Sequence, residues 1–325
     1  VLARGFAANG LNPAGLGMPG NEGFTVAILP MAFQQSLDPL TLSDIFDYEG
    51  TIIPAAVKND WLDRISAADG QTGSGLVSVT AFSGSWNNFG LQLTTIASGR
   101  TDMNEDIAEL ALFGNAGRTG SPGDFDAQGS SMDGFAVTTI GLSVGFPLSR
   151  RWAPGVRRGL SIGATLKNSW GHALVFAEDN GSLAESDPLG LELNFPVIHP
   201  RGGWRNWNQG SGIGMDIGMA WQEGPWAAAA VVENLFNTFE WDLDLLTYRP
   251  GEAVFDQDTK ESNFDERPAN EAPELIRSKV QDLNFRPVFV LGGAYEALDN
   301  LTVTGCLLYT SPSPRDQLQH LECRL

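Results

Sequence analysis

The sequence predicts an all-β protein: a transmembrane antiparallel β-barrel, incomplete at its C-terminus, with an N-terminal plug segment and a few short helices. Three observations carry this. Residues 212–221 read GIGMDIGMAW, so Ile213, Met215, Ile217, Met219 and Trp221 alternate with Gly212, Gly214, Asp216, Gly218 and Ala220. A period of two puts successive side chains on opposite faces of a sheet. One face is large and apolar; the other is small, with one carboxylate. A soluble sandwich would carry Lys, Glu, Thr and Ser on its outer face, whereas small residues with an occasional charge suit a crowded lumen and the apolar face suits lipid. The same rhythm recurs along the chain, enough for about ten spanning segments. Finally, no run of 18 apolar residues exists, which excludes a transmembrane helix.

Composition narrows the class further. The net charge of −19, with Lys only at 58, 167, 260 and 279, argues against nucleic acid, whose phosphates need a basic face. The chain starts at Val1 without Met or a signal peptide; either the signal has been removed or the record starts inside the gene.

Residues 1–22 are small, Gly-rich and lack both the helical and the strand period. Within them, Arg4-Gly5-Phe6 followed by Asn12-Pro13-Ala14-Gly15-Leu16 resembles the start of outer-membrane transport proteins of the FadL type, the long-chain fatty-acid channels. The resemblance implies that residues 1–22 fold into a barrel as a plug, with Asn12, Pro13 and Ala14 as its motif, and that residues 23–305 form the outer-membrane barrel. Read without the resemblance, Asn-Pro is a plain turn signal in an N-terminal loop.

Phe24, Val26 and Ile28 alternate with Thr25 and Ala27, which predicts a first strand over residues 23–33. Pro54, then Val57, Trp61 and Ile65 at helical spacing, predicts a short amphipathic helix, placed in the barrel mouth or at the membrane interface. Residues 76–86 and 89–99 predict a hairpin turning at Asn87-Asn88, with Trp86 and Phe89 at the level of an aromatic girdle. A helix capped by Asn104 and stopped by Gly114 precedes a long polar loop. Residues 135–147 and 160–167 alternate strictly, and the Arg-rich stretch 150–158 between them predicts a turn. Residues 189–197 repeat the dyad for nine residues, close to a tilted spanning strand. Residues 226–241 continue with a weaker pattern. Residues 242–282 carry eleven carboxylates against five basic side chains; without the spacing of a Ca²⁺-binding loop, they predict a solvated acidic loop. A strand over 285–297, a turn at 298–300 and a further strand from 301 follow.

Both cysteines, Cys306 and Cys323, fall where the composition changes abruptly. CLLYTSPSPRD, residues 306–316, is similar to a translated frame of a transposase sequencing adapter, so residues 306–325 are expected to be adapter-derived and to make few contacts. The barrel is then expected not to close, leaving edges at the first strand and near residues 301–305.

Catalytic patterns are not evident. His172 and His199 have no partner at metal-ligand spacing, and neither a nucleophile elbow nor a dinucleotide loop is present. No enzyme, cofactor or metal is expected. The residues to name are charges on the small-residue face of predicted spanning strands: Lys167, Glu192 and Asp216 are expected to face the lumen, because a charge on the lipid face costs about 2–4 kcal/mol at the midplane. They either line a solute path or pair to hold the lumen together. Substitution on that face, as in Gly218→Ser, is expected to cost much less than Ile217→Arg on the other.

The resemblance implies passive transport of small hydrophobic molecules, in the outer membrane of a Gram-negative-type bacterium, with lipid as the surrounding partner. Two other readings stay open: a barrel serving as scaffold or shuttle for protein partners, marked by an exposed patch on the long loops, and a soluble secreted all-β protein.

Overall fold

Alternating large and small residues become strand over most of the chain, and the computed structural model describes residues 2–153, 156–202, 207–298 and 301–310. After an N-terminal segment with one turn of helix, α1 (Ala8–Leu11), the chain enters β1 (Phe24–Ile28) and resumes as β2 (Met31–Asp38). The expected single first strand is thus broken at Leu29, whose φ is 56°, and at Pro30, which has no N–H for the ladder. Helices α2 (Leu42–Phe46) and α3 (Ala55–Ala67) follow; Trp61 and Ile65 of α3 are buried. Strands β3 (Gln71–Trp86) and β4 (Phe89–Met103) form the hairpin, its turn eased by Asn87 at φ 51°. Helix α4 (Glu105–Phe113) begins where Asn104 accepts from the N–H of Ile107 and ends at Gly114, φ 72°.

Next come β5 (Phe125–Asp126), β6 (Ser131–Ala153), β7 (Val156–Glu178), β8 (Leu183–Ser186), β9 (Leu189–Asn194), β10 (Val197–Pro200), β11 (Gly210–Glu223) and β12 (Trp226–Asn237). Then follow β13 (Glu240–Trp241), β14 (Leu246–Arg249), β15 (Glu252–Phe255), β16 (Lys260–Asn263), β17 (Arg267–Pro268), α5 (Glu274–Gln281), β18 (Val288–Leu298) and β19 (Leu301–Thr310). The turn expected at 298–300 lies outside the described residues beyond Leu298, as do residues 311–325.

The main sheet runs β1-β3-β4-β6-β7-β11-β12-β18-β19, antiparallel throughout, with β2 continuing β1 along β3. It curls into a half-barrel. Among the described residues no pairing joins β1 to β19, so both edges are open. The hairpins β3–β4 and β11–β12 close at one end by tight turns, β6–β7 and β18–β19 are joined at the same end by two residues each that lie outside the described ones, and the long connections gather at the other end.

Three expectations are corrected. Residues 189–197 do not cross the main sheet: β9 pairs with β8 and β15 in a separate five-stranded sheet, β16-β15-β9-β8-β5. A dyad repeat marks any strand with two unlike faces and does not say to which sheet it belongs. Residues 242–282 are not a simple solvated loop. Leu246, Tyr248, Ala269, Ile276 and Val280 are buried with Trp241, Phe176 and Ile198, because their apolar residues, hidden among the carboxylates, find a common core over the sheet. Finally, Cys306–Thr310, expected to be loose, continue β19 in register with Val288–Gly292. Alternating apolar residues beside an open edge find unpaired N–H and C=O groups ready to take them.

The α2–α3–α4 cap has its own core of Leu40, Trp61, Leu62, Ile65 and Ala108. Thr41 and Asp44 form a capping box at α2, and Asp44 also accepts from Arg64 Nη1 and Nη2 at 2.8 and 3.0 Å. The Arg64 guanidinium, with help from the Thr41 N–H, holds the Asp44 carboxyl well below the usual carboxylate range. A carboxyl depressed in the folded state stabilises above its unfolded value, and that contribution is lost as pH falls through and below about 4. Amide exchange over residues 40–67 is therefore expected to quicken relative to the main sheet as pH is lowered from about 5 to about 3. Asp44→Asn should remove this pH dependence.

Candidate functional site

The N-terminal segment lies across the inner face of the main sheet. Phe6 N–H donates to Thr25 Oγ1 at 2.6 Å on β1, and Asn9 Nδ2 reaches Ser83 Oγ, Gly84 O and Leu91 O on β3 and β4. Arg4 Nη2 donates to Gln222 Oε1 on β11 at 2.6 Å. Leu2, Ala14 and Met18 pack with Val231, Val288, Val290 and Leu308 on β12, β18 and β19. A segment so short touches strands from one edge of the sheet to the other only if the face it lies on is concave.

Asn12, Pro13 and Ala14 are all buried here. Asn12 is the N-cap of a short 3₁₀ turn, accepting from Ala14 N–H at 3.0 Å, and Pro13 takes the first position of the turn, where its missing N–H costs nothing. Asn12 Nδ2 also reaches the carbonyls of Met219 and Ala230 at 3.2 and 3.3 Å. What lets the segment come so close is a row of glycines. Gly145, Gly163 and Gly218 stand opposite one another on β6, β7 and β11. A β-carbon at Gly218 would overlap Asn12 Oδ1, one at Gly163 the backbone of Pro13 and Ala14, and one at Gly145 the backbone of Leu16 and Gly17. The motif and the glycine row are two halves of one contact.

Lys167 and Asp216 are brought together, and Glu192 is not. Lys167 Nζ lies 2.6 Å from Asp216 Oδ1, the two side chains being 19% and 13% exposed. Glu192 is exposed in β9 of the outer five-stranded sheet, so its expected lumen position is corrected: its strand belongs to a long connection. The pair has two partners that sequence reasoning passed over. The register of β11 against β12 shifts between Met215 and Ile217, a β-bulge, and Asn234 sits in it at φ 52°. Its N–H donates to Asp216 Oδ1 at 2.7 Å, and Lys167 Nζ donates to its Oδ1. Glu233, next in the bulge, is half-buried within electrostatic reach of both charges. The signal for this was present: Glu233-Asn234 interrupts the apolar run 226–232, and Asn tolerates positive φ better than most residues. Asn234 thus gives each member of the pair one further hydrogen bond, the kind of partner on which a buried ion pair relies. Among the described residues no group of three or more His, Cys, Asp or Glu is placed to hold a metal ion.

A second row of glycines lies eight residues along the same strands. Gly171 and Gly210 face each other across β7 and β11; a β-carbon at Gly171 would overlap the Trp241 ring, one at Gly210 the Glu240 carbonyl, and both would press on Phe239. Phe239 and Trp241 stack edge to face at 5.2 Å, Phe239 meets Phe285 at 5.4 Å, and Trp241 Nε1 donates to Leu283 O at 2.7 Å. Thus one apolar group closes on the concave face near the long connections, and the N-terminal segment closes on it near the tight turns.

The expectation that small residues on this face tolerate enlargement is overturned at Gly218, because Asn12 fills the space. Gly218→Ser is expected to destabilise by about 1–3 kcal/mol through overpacking, whereas Gly75→Ser, with open space at its β-carbon, should be close to neutral. Chemical denaturation of the two variants in one detergent or lipid checks this.

Comparison of the chain with protein-family models, curated proteins and solved structures returned no match.

Proposed function

We propose that the chain is the wall of an outer-membrane β-barrel, with residues 1–22 as a plug that controls passive passage of small molecules through its lumen. The observation that carries this reading is the convex face. Phe24, Val26, Ile28, Phe33, Leu142, Leu166, Ile217, Met219, Phe289 and Leu291 are all exposed there, a continuous apolar surface of the kind that marks a membrane or a partner. Its height supports lipid. Leu160 and Trp170 on β7 stand ten residue steps apart on one face that is apolar but for Asn168, about 34 Å of strand, or about 26 Å at a barrel tilt near 40°, against an apolar band of about 25 Å. Trp86, Phe89, Trp226 and Tyr295 gather beside the tight turns, Trp226 and Tyr295 with ring centroids 4.4 Å apart, where an aromatic girdle belongs. Tight turns at one end and long connections at the other also match outer-membrane barrels.

Irregular backbone is tolerated at membrane depth only when it is buried in protein or lines a cavity. The N-terminal segment meets that condition on the concave face, and the motif that resembles the FadL type is the part seated on the glycine row. One observation favours the scaffold reading as a second: Leu189, Leu191 and Phe255 are exposed on one face of the outer five-stranded sheet, formed by the long connections.

Two measurements test the proposal. In a lipid folding assay Ile217→Arg is expected to cost about 2–4 kcal/mol if the residue lies near the midplane; a negligible cost, or a protein that stays monomeric without detergent, would sink the membrane reading. Deleting residues 1–22 should raise the permeability of proteoliposomes to small solutes. Because the segment also fills core, Gly163→Leu, which evicts it from the glycine row while leaving every strand intact, should do the same. Unchanged permeability in folded samples of both would leave the scaffold reading ahead.

A further inference from the structure

We infer that the stretch of concave wall between the two glycine rows is a passage for a small polar, hydrogen-bonding solute, and not for the apolar solute that the N-terminal resemblance implies. The inference rests on the barrel reading above and concerns what its lumen admits. Between Gly163 and Gly171, the concave side chains of β7 are Thr165, Lys167 and Ser169; on β11, Asp216 and Gly214 face the same way, and Gly212 beyond them is covered by the backbone of Thr238 and Phe239. On β6, between Gly145 and Val137, they are Ser143, Gly141 and Thr139, and β4 adds Gln92 and Thr94. The band therefore holds hydroxyls, amides, glycines and the Lys167–Asp216 pair, without one aliphatic or aromatic side chain on β6, β7 or β11.

Apolar groups on the same face occur where something covers them. Ala220, Ala229, Val231, Val288 and Val290 lie under the N-terminal segment, and Val137 belongs to the Phe239–Trp241 layer. The polar side chains are held in fixed directions: Ser143 Oγ and Thr165 Oγ1 are 2.9 Å apart, Thr139 Oγ1 and Ser169 Oγ 2.7 Å, and Gln92 Nε2 donates to Thr94 Oγ1 at 2.7 Å. Yet Gln92, Thr94, Thr139 and Lys167 stay half-exposed, so part of their hydrogen-bonding capacity faces the open side of the wall. An apolar solute in this band would strip water from those groups without replacing its hydrogen bonds. A polyol or small amide replaces them, and moving between successive hydroxyl pairs exchanges one set of bonds for another.

The test uses the full chain and Gly163→Leu in proteoliposomes, with arabinose as polar probe and toluenesulfonate as an apolar-ringed probe that bilayers exclude. Arabinose is expected to enter faster than toluenesulfonate through either protein. The double replacement Thr94→Val and Thr139→Val, which changes shape little and removes two of the half-exposed hydroxyls, should slow arabinose by about threefold or more, the worth of one hydrogen bond, and should narrow the gap between probes. Preferential entry of toluenesulfonate, or arabinose entry indifferent to the double replacement in folded protein, overturns the polar passage while leaving the barrel reading standing. Entry of neither probe above protein-free liposomes in both proteins removes passage altogether, and this inference with it.

Discussion

The close approach of the N-terminal segment to the glycines of β6, β7 and β11, backbone to backbone at Gly145 and Gly163, is the contact on which the rest of this structure depends. Backbone can pack on backbone only where no β-carbon intervenes, and protein interiors leave little slack for one. Three glycines in lateral register turn the middle of the sheet into a shelf, and Asn12-Pro13-Ala14 is shaped to lie on it: a capped, Pro-initiated turn with no bulky side chain toward the wall. The segment then supplies what the concave face lacks, burying the valines of β12 and β18 and engaging the Thr25–Ser85 hydroxyl pair.

The same device is used twice. Near the long connections, Gly171 and Gly210 receive Phe239, Glu240 and Trp241 where Gly163 and Gly218 receive the Asn12–Ala14 turn. Spacing the two rows eight residues apart leaves a polar band between two seals, and the Lys167–Asp216 pair sits inside it. One charge pair at that depth has to be nearly complete in its hydrogen bonds, because a lone buried charge is far costlier than a paired one. The bulge at Asn234 provides that completion by turning a backbone N–H and a side-chain amide toward the pair. The bulge is thus part of the site's electrostatics as well as of the sheet's shape.

The two caps over the long connections show that the acidic character of this chain is not evenly spread. In residues 242–282 the carboxylates face solvent while a minority of apolar residues, Leu246, Ile276 and Val280 among them, close a core against Trp241 and Phe176. The α2–α4 cap does likewise, with Asp44 held by Arg64 at its rim. Among the described residues, the long connections at this end of the molecule are folded structure and not loose loops.

How much of this was legible in the sequence follows from the range of each interaction. Period-two alternation is local, and it separates the two faces of β6 and β11, where Leu142 and Ile217 are exposed while Ser143 and Asp216 are buried; the same expectation for Leu193 outward and Asn194 inward on this wall fails, because both belong to β9. Helix caps at Asn104, Pro54 and Gly114 are likewise local, as is the turn at Asn87-Asn88. Alternation is silent on which sheet a strand joins, so β9 and Glu192 were placed in the wrong one. It is equally silent on lateral register, so a glycine on the small-residue face carries no sign that it is filled, as Gly218 is by Asn12. Only the tertiary structure decided that Gly145, Gly163 and Gly218 align and that Asn234 completes the Lys167–Asp216 pair. It also decided that the apolar residues scattered through 242–282 meet. Each joins residues far apart in the chain, and composition and spacing carry no record of such meetings.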